Sequence, residues 1–345
     1  MKMRKPGFLF AVGALLLGVV VVMLGAYTRL VHAGLGCPDW PGCYGFLSVP
    51  RSDAALEMAQ MRFPDSPVEA FKAWAEMIHR YAAGLLGLAI LGLALLALKY
   101  RDREGYPLKL PLGLLVLVIC QALFGMWTVT LKLWPQVVTA HLLGGFATLS
   151  LLFLLCLRLS GRIPADVGLT ALRPLARAVL VRVISQIALG GWVSSNYAAV
   201  ACVDLPTCHG EWWPDMDFAA GFNIFQEIGP NYLGGMLYGE GRTAIHFTHR
   251  IGALVTIAVT LLLAWRLYRA GLATTAAGLS LVLLAQVGLG ITNVLASLPL
   301  AVAVAHNAVG ALLLLTLVLV NYQLRPVNIQ VSRKRRDVVG HWTPS

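Results

Sequence analysis

The sequence predicts an all-α integral membrane protein in which eight transmembrane helices form two tandem four-helix bundles related by an internal repeat. Of its 345 residues, 58% are hydrophobic and 12% are charged, and the mean hydropathy is +0.73. A water-soluble domain carries about 25% charged residues. The composition therefore excludes a water-soluble enzyme, and the formal charge of +11 must be explained within a membrane protein.

The number of helices follows from the apolar segments. A membrane-spanning helix needs about 20 apolar residues. Eight runs of this kind occur, at about residues 8–28, 75–98, 110–131, 136–158, 176–195, 243–268, 272–295 and 301–322. The first run follows a short basic N-terminus, as a signal peptide would. We interpret it as a helix of the mature protein because it has an internal counterpart at 176–195.

The distribution of charge predicts the orientation of these helices. One set of connecting segments, which includes the basic residues from Arg158 to Arg182, holds 19 Lys and Arg against four acidic residues; the other set holds six against 11. Basic residues concentrate on the cytoplasmic side of a membrane. Both termini are therefore predicted to be cytoplasmic, with long loops at about 29–74 and 196–242 facing outward from a bacterial inner membrane. The basic clusters are not interleaved with aromatic residues, so no nucleic-acid partner is expected.

An internal repeat divides the chain. Residues 25–43 (GAYTRLVHAGLGCPDWPGC) align without a gap on residues 190–208 (GGWVSSNYAAVACVDLPTC) at an offset of 165 positions. The same offset relates three further pairs: Gln121 and Gln286, Gly125 and Gly290, and His141 and His306. Four helices per half give both halves the same orientation, which predicts an axis along the membrane normal. Residues 1–160 and 161–324 are predicted to be the two bundles, and 325–345 a basic cytoplasmic tail.

Four of the eight histidines are predicted to lie within helices, near their outer ends and at equivalent places in the two halves: His79 and His141, then His249 and His306. Ionisable side chains inside a membrane are costly and indicate functional sites. A single histidine of this kind is more simply a packing or hydrogen-bonding residue. A pair from two helices of one bundle, repeated in the second bundle, favours iron ligation by two axial imidazoles of a haem site. Zinc or copper would require further ligands.

Residues near these histidines are consistent with a flat macrocycle. Small side chains occur one helical turn after each histidine: Ala82, Ala83, Gly144, Gly145, Gly252, Ala253 and Gly310. They would leave clearance for a porphyrin, although ordinary packing of small residues between helices explains them equally. Arg80 and Arg250 are candidates for pairing with haem propionates. Snorkelling of these side chains to the membrane interface is the alternative.

The two halves differ at one position. Glu76 stands three residues before His79; in the second half, where this segment aligns at an offset of 170 positions, the equivalent residue is His246. A carboxylate near a haem face within an apolar bundle can serve as acid or base, so the first half is predicted to be the chemically active one. The alternative is that Glu76 holds an imidazole in place. His246 is assigned a packing or supporting role, and loop or solvated roles are expected for the remaining histidines: His32, His209 and His341.

The loop cysteines form two equivalent pairs, Cys37–Cys43 and Cys202–Cys208. On the oxidising side of a membrane such pairs are most simply disulfides. For Cys37–Cys43 a redox-active pair that relays electrons is the alternative. The two other cysteines are predicted to be small apolar residues within helices: Cys120 and Cys156.

Taken together, these motifs resemble the haem A synthase family over nearly the whole chain. The shared features are the tandem four-helix repeat and the following motifs: GAYTRL, GLGCPDWPGC, Glu76-x-x-His79-Arg80, His141, His249-Arg250 and His306. Each motif is short, and their combination carries the resemblance. It implies an oxidoreductase acting on a CH group, which oxidises the C8 methyl group of haem O to a formyl group and makes haem A for cytochrome oxidases.

The resemblance also implies roles for the candidate residues. The first half would hold the substrate haem between His79 and His141, with Glu76 serving the active site. The second half would hold a haem b cofactor, ligated by His249 and His306. The loop cysteines of the family fall on the two pairs named above. Haem O synthase and an external electron acceptor are the expected partners, besides membrane lipid.

Two other classes of protein would use the same histidines. A di-haem b-type electron-transfer cytochrome normally places its haems at opposite membrane faces, whereas all four helix histidines here are predicted near the outer face. A transporter with an internal repeat would leave the histidines as relay or packing groups. The common depth of the histidines favours the enzyme.

Overall fold

The computed structural model describes residues 4–161 and 167–326, and in these ranges it consists of helices joined by loops. Eight of the helices in these ranges are long and apolar enough to span a membrane, which confirms the predicted fold class. With two short loop helices, the helices in chain order are α1 Phe8–Leu30, α2 Asp53–Arg62, α3 Ala70–Lys99, α4 Lys109–Thr130, α5 Pro135–Ser160, α6 Arg173–Ser195, α7 Phe218–Gly221, α8 Gly239–Arg269, α9 Ala273–Leu295 and α10 Leu300–Gln323. His341 and the predicted basic tail from residue 327 onward lie outside the described residues.

Two of the predicted spans start too late in the chain. Helix α3 begins at Ala70 rather than near 75, and α8 begins at Gly239 rather than near 243. The additional first turns carry the charged residues Lys72, Glu240 and Arg242, so an apolar run does not register them. Both helices therefore extend beyond their apolar segments towards the long loops.

The membrane helices form two closed rings. In the first, α1 packs on α3 and α5, and α4 completes the ring by packing on the same two helices. In the second, α6 packs on α8 and α10, and α9 packs on the same two helices. The rings meet where α1 contacts α10 and where α5 contacts α6 and α10. The predicted pair of four-helix bundles is present.

Each bundle buries an apolar core at the end away from the long loops. The first core includes Leu86, Ile90, Leu114 and Leu152, together with Cys156. The second core continues across the junction between the bundles; its members include Phe146, Val179, Leu263, Leu279 and Leu317. Cys156 is buried and Cys120 is exposed, and neither forms a disulfide. Cys120 lies within α4 and Cys156 within α5, so both are in membrane helices as predicted.

Residues separated by 165 positions contact each other across the junction. At the loop end, Arg29 donates a hydrogen bond to the carbonyl of Ser194, and the ring of His32 stacks on that of Tyr197 with centroids 5.4 Å apart. At the opposite end, the hydroxyl of Tyr322 donates to the carbonyl of Leu157 at 3.3 Å. Equivalent residues touch each other only beside a two-fold axis. These contacts support the predicted duplication, which stays a prediction.

Both long loops contain the same tight turn. The pairs Cys37–Cys43 and Cys202–Cys208 are disulfide-bonded, as predicted. In each disulfide-closed loop an aspartate accepts two backbone hydrogen bonds from the residues that follow the second cysteine. Asp39 accepts from Tyr44 and Gly45 at 2.6 and 2.7 Å, and Asp204 accepts from His209 and Gly210 at 2.8 and 3.0 Å. The side chain of His209 itself contacts the carbonyl of Ala201 at 2.6 Å, a loop role.

The turn around Asp204 is expected to loosen in acid. Hydrogen bonds from the Thr207 hydroxyl and then from the Gly210 and His209 amides lower the pKa of Asp204 to about 2. An unfolded aspartate titrates at about 3.9. A lowered folded pKa stabilises the turn above pH of about 4, and this contribution is lost as the pH falls through about 2.

We expect Asp204→Asn to mimic the protonated turn at neutral pH, because an amide nitrogen cannot accept the hydrogen bond that one carboxylate oxygen accepts. The rate at which a phosphine reduces Cys202–Cys208, followed by alkylation and mass spectrometry, should rise. Asp215→Asn in the same loop is the matched control. Equal reduction rates in the Asp204 variant and the wild type would contradict this account of the turn.

Candidate functional site

One continuous cavity contains all four candidate ligands. Its volume is about 2110 Å³, and its walls include His79, His141, His249 and His306. A pocket for one small ligand measures about 300–1,000 Å³, so this space exceeds the volume needed for a single group. The sequence predicts two separate sites, whereas the structure joins them. Small residues at the junction of the bundles, Gly191 among them, line the connecting part of the cavity.

Each candidate ligand packs against a glycine of the neighbouring helix. A methyl group built on Gly25 in α1 would lie 3.0 Å from Cε1 of His79 in α3. The three other pairs repeat this contact at 3.5, 3.3 and 3.2 Å: Gly125 with His141, Gly190 with His249, and Gly290 with His306. Contacts under about 3.4 Å are tighter than almost all real contacts of a Cβ atom. The glycines therefore set how close each imidazole lies to the adjacent helix.

Sequence reasoning did not identify these four glycines as site residues. The signal was present, because the 165-residue offset relates Gly25 to Gly190 and Gly125 to Gly290. Clearance was instead expected from small residues on the histidine helices. Ala83, Gly145 and Ala253 do line the cavity. Three other small residues make room for glutamine side chains: Gly144 for Gln121, Gly252 for Gln186 and Gly310 for Gln286.

The structure brings the histidines together in the predicted pairs. His79 and His141 are close enough to interact electrostatically, and so are His249 and His306. In His79, His141 and His306 the Nδ1 atom is buried and has no hydrogen-bond partner. A buried polar atom without a partner is costly, and such atoms mark positions where a ligand is missing from a protein interior. These imidazoles fit a group that takes axial nitrogen ligands.

The donor set fits a haem better than a simple metal ion. Within the described residues, no three His, Cys, Asp or Glu side chains come together as a metal site. A tetrahedral zinc site needs three or four protein ligands. A porphyrin supplies four nitrogens of its own, so two imidazoles complete its iron coordination. A pair of histidines per bundle, flanked by small residues, meets that requirement.

Glutamines hold the two histidines of the second half. Nε2 of Gln186 lies 3.1 Å from Nδ1 of His249 and donates to the carbonyl of the same residue at 2.8 Å. Nε2 of Gln286 lies 3.2 Å from Nε2 of His306. In the first half, Val21 occupies the position of Gln186. The glutamine contacts of the second half are therefore not repeated at His79 and His141 among the described residues, although Gln121 aligns with Gln286.

Arg182 belongs to this second site, although sequence reasoning counted it among the cytoplasmic charges. It lies within the span of α6, where its guanidinium donates to Oε1 of Gln186 at 3.0 Å and to the carbonyl of Gly252. The apolar run predicted at 176–195 already contains position 182, so the predicted span was right here and the charge count was wrong. The equivalent residue of the first half is Leu17. The sequence signal for Arg182 was this alignment of a charged residue in one half with an apolar residue in the other.

Glu76 and His246 accept hydrogen bonds from equivalent backbone amides, one in each disulfide loop. Glu76 is 5% exposed, and its Oε2 accepts a hydrogen bond from the backbone N–H of Cys37 at 2.9 Å. Nδ1 of His246 accepts from the backbone N–H of Cys202 at 3.2 Å. Each side chain thus fixes the first cysteine of a disulfide loop over the cavity. No hydrogen bond joins Glu76 to His79 in the structure, so these contacts give no support to the alternative that it holds an imidazole.

The two predicted propionate partners bind the loops instead. Arg80 donates to Oε1 of Glu76 at 2.6 Å and to the carbonyl of Asp39 at 2.9 Å. Arg250 donates to the carbonyls of Asp204, Thr207 and Cys202 at 2.9, 2.9 and 2.7 Å. Both guanidinium groups line the cavity, but their terminal nitrogens already hold the disulfide loops in place. Their pairing with propionates stays a prediction.

Comparison with known proteins finds a matching family model and several chains that are similar over most of their length. The family model COX15-CtaA, described as cytochrome oxidase assembly protein, matches residues 8–318. A heme A synthase of Shewanella oneidensis is 50% identical over 91% of this chain and 96% of its own length. Heme A synthases of Allorhizobium ampelinum and Nitrosospira multiformis are 33% and 32% identical, over 86% and 92% of this chain and 84% and 92% of their own lengths.

The packing of glycine on histidine gives a direct test. We expect Gly25→Ala to shift the ring of His79 and to weaken haem binding in the first bundle about tenfold, the size of effect seen when a ligand's support is altered. Titration of the purified protein with haem, followed by absorption, measures the affinity. Gly13→Ala in the same helix is the control, because a methyl group there contacts nothing within 4 Å. Unchanged affinity in Gly25→Ala would show that this contact does not position the ligand.

Proposed function

We propose that this chain, which belongs to the COX15-CtaA family of cytochrome oxidase assembly proteins, is an enzyme that converts haem O into haem A in the membrane. The observation that carries the proposal is the pair of cavity-lining histidines in each bundle, with a carboxylate beside only one of the pairs. The similarity to heme A synthases over most of the chain supports the same reaction. The finer step is oxidation of the C8 methyl group to a formyl group, which makes the enzyme an oxidoreductase acting on a CH group.

The first bundle is proposed to hold the substrate and the second a resident haem b. A resident cofactor benefits from ligands that are held in one orientation, and His249 and His306 contact Gln186 and Gln286. A substrate must enter and leave, and among the described residues neither His79 nor His141 has a glutamine contact of this kind. This difference supports the same assignment as the carboxylate does.

Glu76 is proposed to accept protons released from the substrate. Conversion of a methyl group and water into a formyl group releases four electrons and four protons, so it requires a base and an electron acceptor. Bound haem supplies the iron redox chemistry. Glu76 lines the cavity one helical turn before His79 on α3 and is held there by Arg80 and the Cys37 amide, which supports this role. An external electron acceptor and haem O synthase are the proposed partners.

The orientation in the membrane is proposed from the loops. Disulfides persist in oxidising compartments, and both lie in the long loops at the cavity end of the bundles. The loops are therefore proposed to face outward from a bacterial inner membrane, with both termini in the cytoplasm. A di-haem electron-transfer cytochrome is not favoured, because the four histidines open into one cavity at this end.

The reaction itself is tested by extracting pigments from cells that express the chain together with a haem O synthase. Haem A, recognised by its mass and its formyl-shifted absorption, should appear only when both proteins are present. Haem O that accumulates unchanged beside correctly inserted protein would overturn the proposed function.

Glu76→Gln is expected to keep haem binding and to slow conversion about 10²–10⁴-fold, the usual contribution of a general acid or base. The amide keeps the size of the side chain but cannot accept a proton at the pH of the cell. The ratio of haem A to haem O in extracts measures the effect. Glu69→Gln is the matched control, since Glu69 is exposed, precedes α3 and forms its ion pair with Lys72 rather than with a residue of the cavity. Full conversion by Glu76→Gln would exclude the acid–base role.

Removal of single histidines tests the assignment of the two halves. Protein purified with His249→Ala or His306→Ala should lack the resident haem b. The variants His79→Ala and His141→Ala should retain it and lose only conversion of haem O. Haem b per protein, measured by pyridine haemochrome absorption, decides the question, and loss of haem b in the first-half variants alone would reverse the assignment.

A further inference from the structure

A cationic cluster lies at the junction of the two bundles, outside the histidine sites. The guanidinium group of Arg29, at the end of α1, stacks on the ring of Tyr197 with Cζ 3.7 Å from the ring centroid. The ring of His32 stacks on the same tyrosine. We call Arg29, His32, Tyr197 and Arg242 the junction cluster. All four residues line the cavity.

Arg242 reaches the cluster from the first turn of α8. A methyl group built on Gly235 would lie 3.2 Å from Nη2 of Arg242 and 3.3 Å from Cβ of Tyr197. The two groups are therefore neighbours across one glycine. Arg242 contacts the carbonyls of Gly234 and Gly235 through Nη2. The cluster thus brings a guanidinium group from each half of the chain to the same tyrosine.

Three polar atoms of the cluster are buried without hydrogen-bond partners: Nε of Arg29, Nε of Arg242 and the hydroxyl of Tyr197. The side-chain ion pairs within the described residues join Lys72 to Glu69, Arg80 to Glu76 and Arg101 to Asp102. Neither arginine of the cluster has an acidic partner among them. A buried charge without a counter-charge is strongly unfavourable, so the cluster has unused capacity for an anion.

The surroundings of His32 are consistent with a positive site. Partial burial and then the charges of Arg29 and Lys72 lower the pKa of His32. Its imidazole is therefore neutral at pH 7, and the charge of the cluster comes from the two guanidinium groups. Guanidinium groups match carboxylates through paired N–H donors, and the free hydroxyl of Tyr197 is a further donor.

We propose that the junction cluster binds a carboxylate of a haem propionate, with Arg29 and Arg242 as the charged donors and Tyr197 as the neutral one. This inference rests on the proposed function, which places haem groups in the cavity. Arg80 and Arg250 are less suited to this task because both terminal nitrogens of each already bind loop or side-chain oxygens, whereas Arg29 and Arg242 bind carbonyls through Nη2 alone. The propionate belongs either to the substrate haem or to the resident haem, since the cluster lies between their sites.

A porphyrin without carboxylates gives a sharp test. Purified wild-type protein is titrated with haem and with haem dimethyl ester, whose propionates are neutral. The wild type should bind haem at least about tenfold more tightly than the ester, the value of a charge-assisted hydrogen bond. Arg29→Gln and Arg242→Gln should each reduce that ratio towards one while leaving the affinity for the ester unchanged. An unchanged ratio in both variants would overturn the proposal.

Control measurements distinguish the two haems that could supply the carboxylate, and they distinguish failure of this proposal from failure of the proposed function. Arg51→Gln is the matched variant, because Arg51 stacks on Trp74 at 4.5 Å but does not line the cavity; its ratio should equal that of the wild type. Loss of resident haem from the purified variants would assign the carboxylate to haem b, whereas a change confined to added haem would assign it to the substrate. A wild type that binds haem and ester equally would refute the cluster alone. A wild type that binds neither would refute the proposed function as well.

Discussion

The structure depends on one constraint, which is that polar groups inside a bilayer must find partners within the protein or on a ligand. Helices satisfy the backbone, and the long loops are tied to the helices through side chains. Arg80 and Arg250 bind loop carbonyls, while Glu76 and His246 accept from loop amides. Once these pairs are made, most of the buried side-chain polar atoms without partners in the described residues belong to residues that line the cavity, such as His79, His141 and Tyr197. Those atoms show where ligands belong.

The same constraint bears on the different roles that we propose for the two halves. Both bundles place a histidine against a glycine on the neighbouring helix, so the basic geometry of the site is shared. The second half adds Gln186 and Arg182, where the first half has Val21 and Leu17. Polar supports of this kind orient a permanent ligand, but they would hinder exchange of a substrate. The first half instead presents a carboxylate, which a chemical step requires.

Much of the fold could be predicted from the sequence because apolar length and the 165-residue offset are properties of the chain itself. The eight helices, the paired disulfides and the grouping of His79 with His141 followed from those signals. The starts of α3 and α8 did not, since a helix continues past the apolar run into charged turns. The merging of two sites into one cavity also escaped prediction. It depends on how small residues of different bundles meet, and spacing within one segment does not encode that contact.

The position of the junction cluster follows from the contacts across the bundles. Residues 165 positions apart meet at the junction, so a side chain there serves both halves at once. Arg29 comes from the first half and Arg242 from the second, and both lie beside Tyr197. A duplicated chain can place an identical site in each bundle, but a site at the junction is single and draws on both copies. If the proposed function holds, the two halves supply two haem sites and, between them, one shared anion site that neither half forms alone.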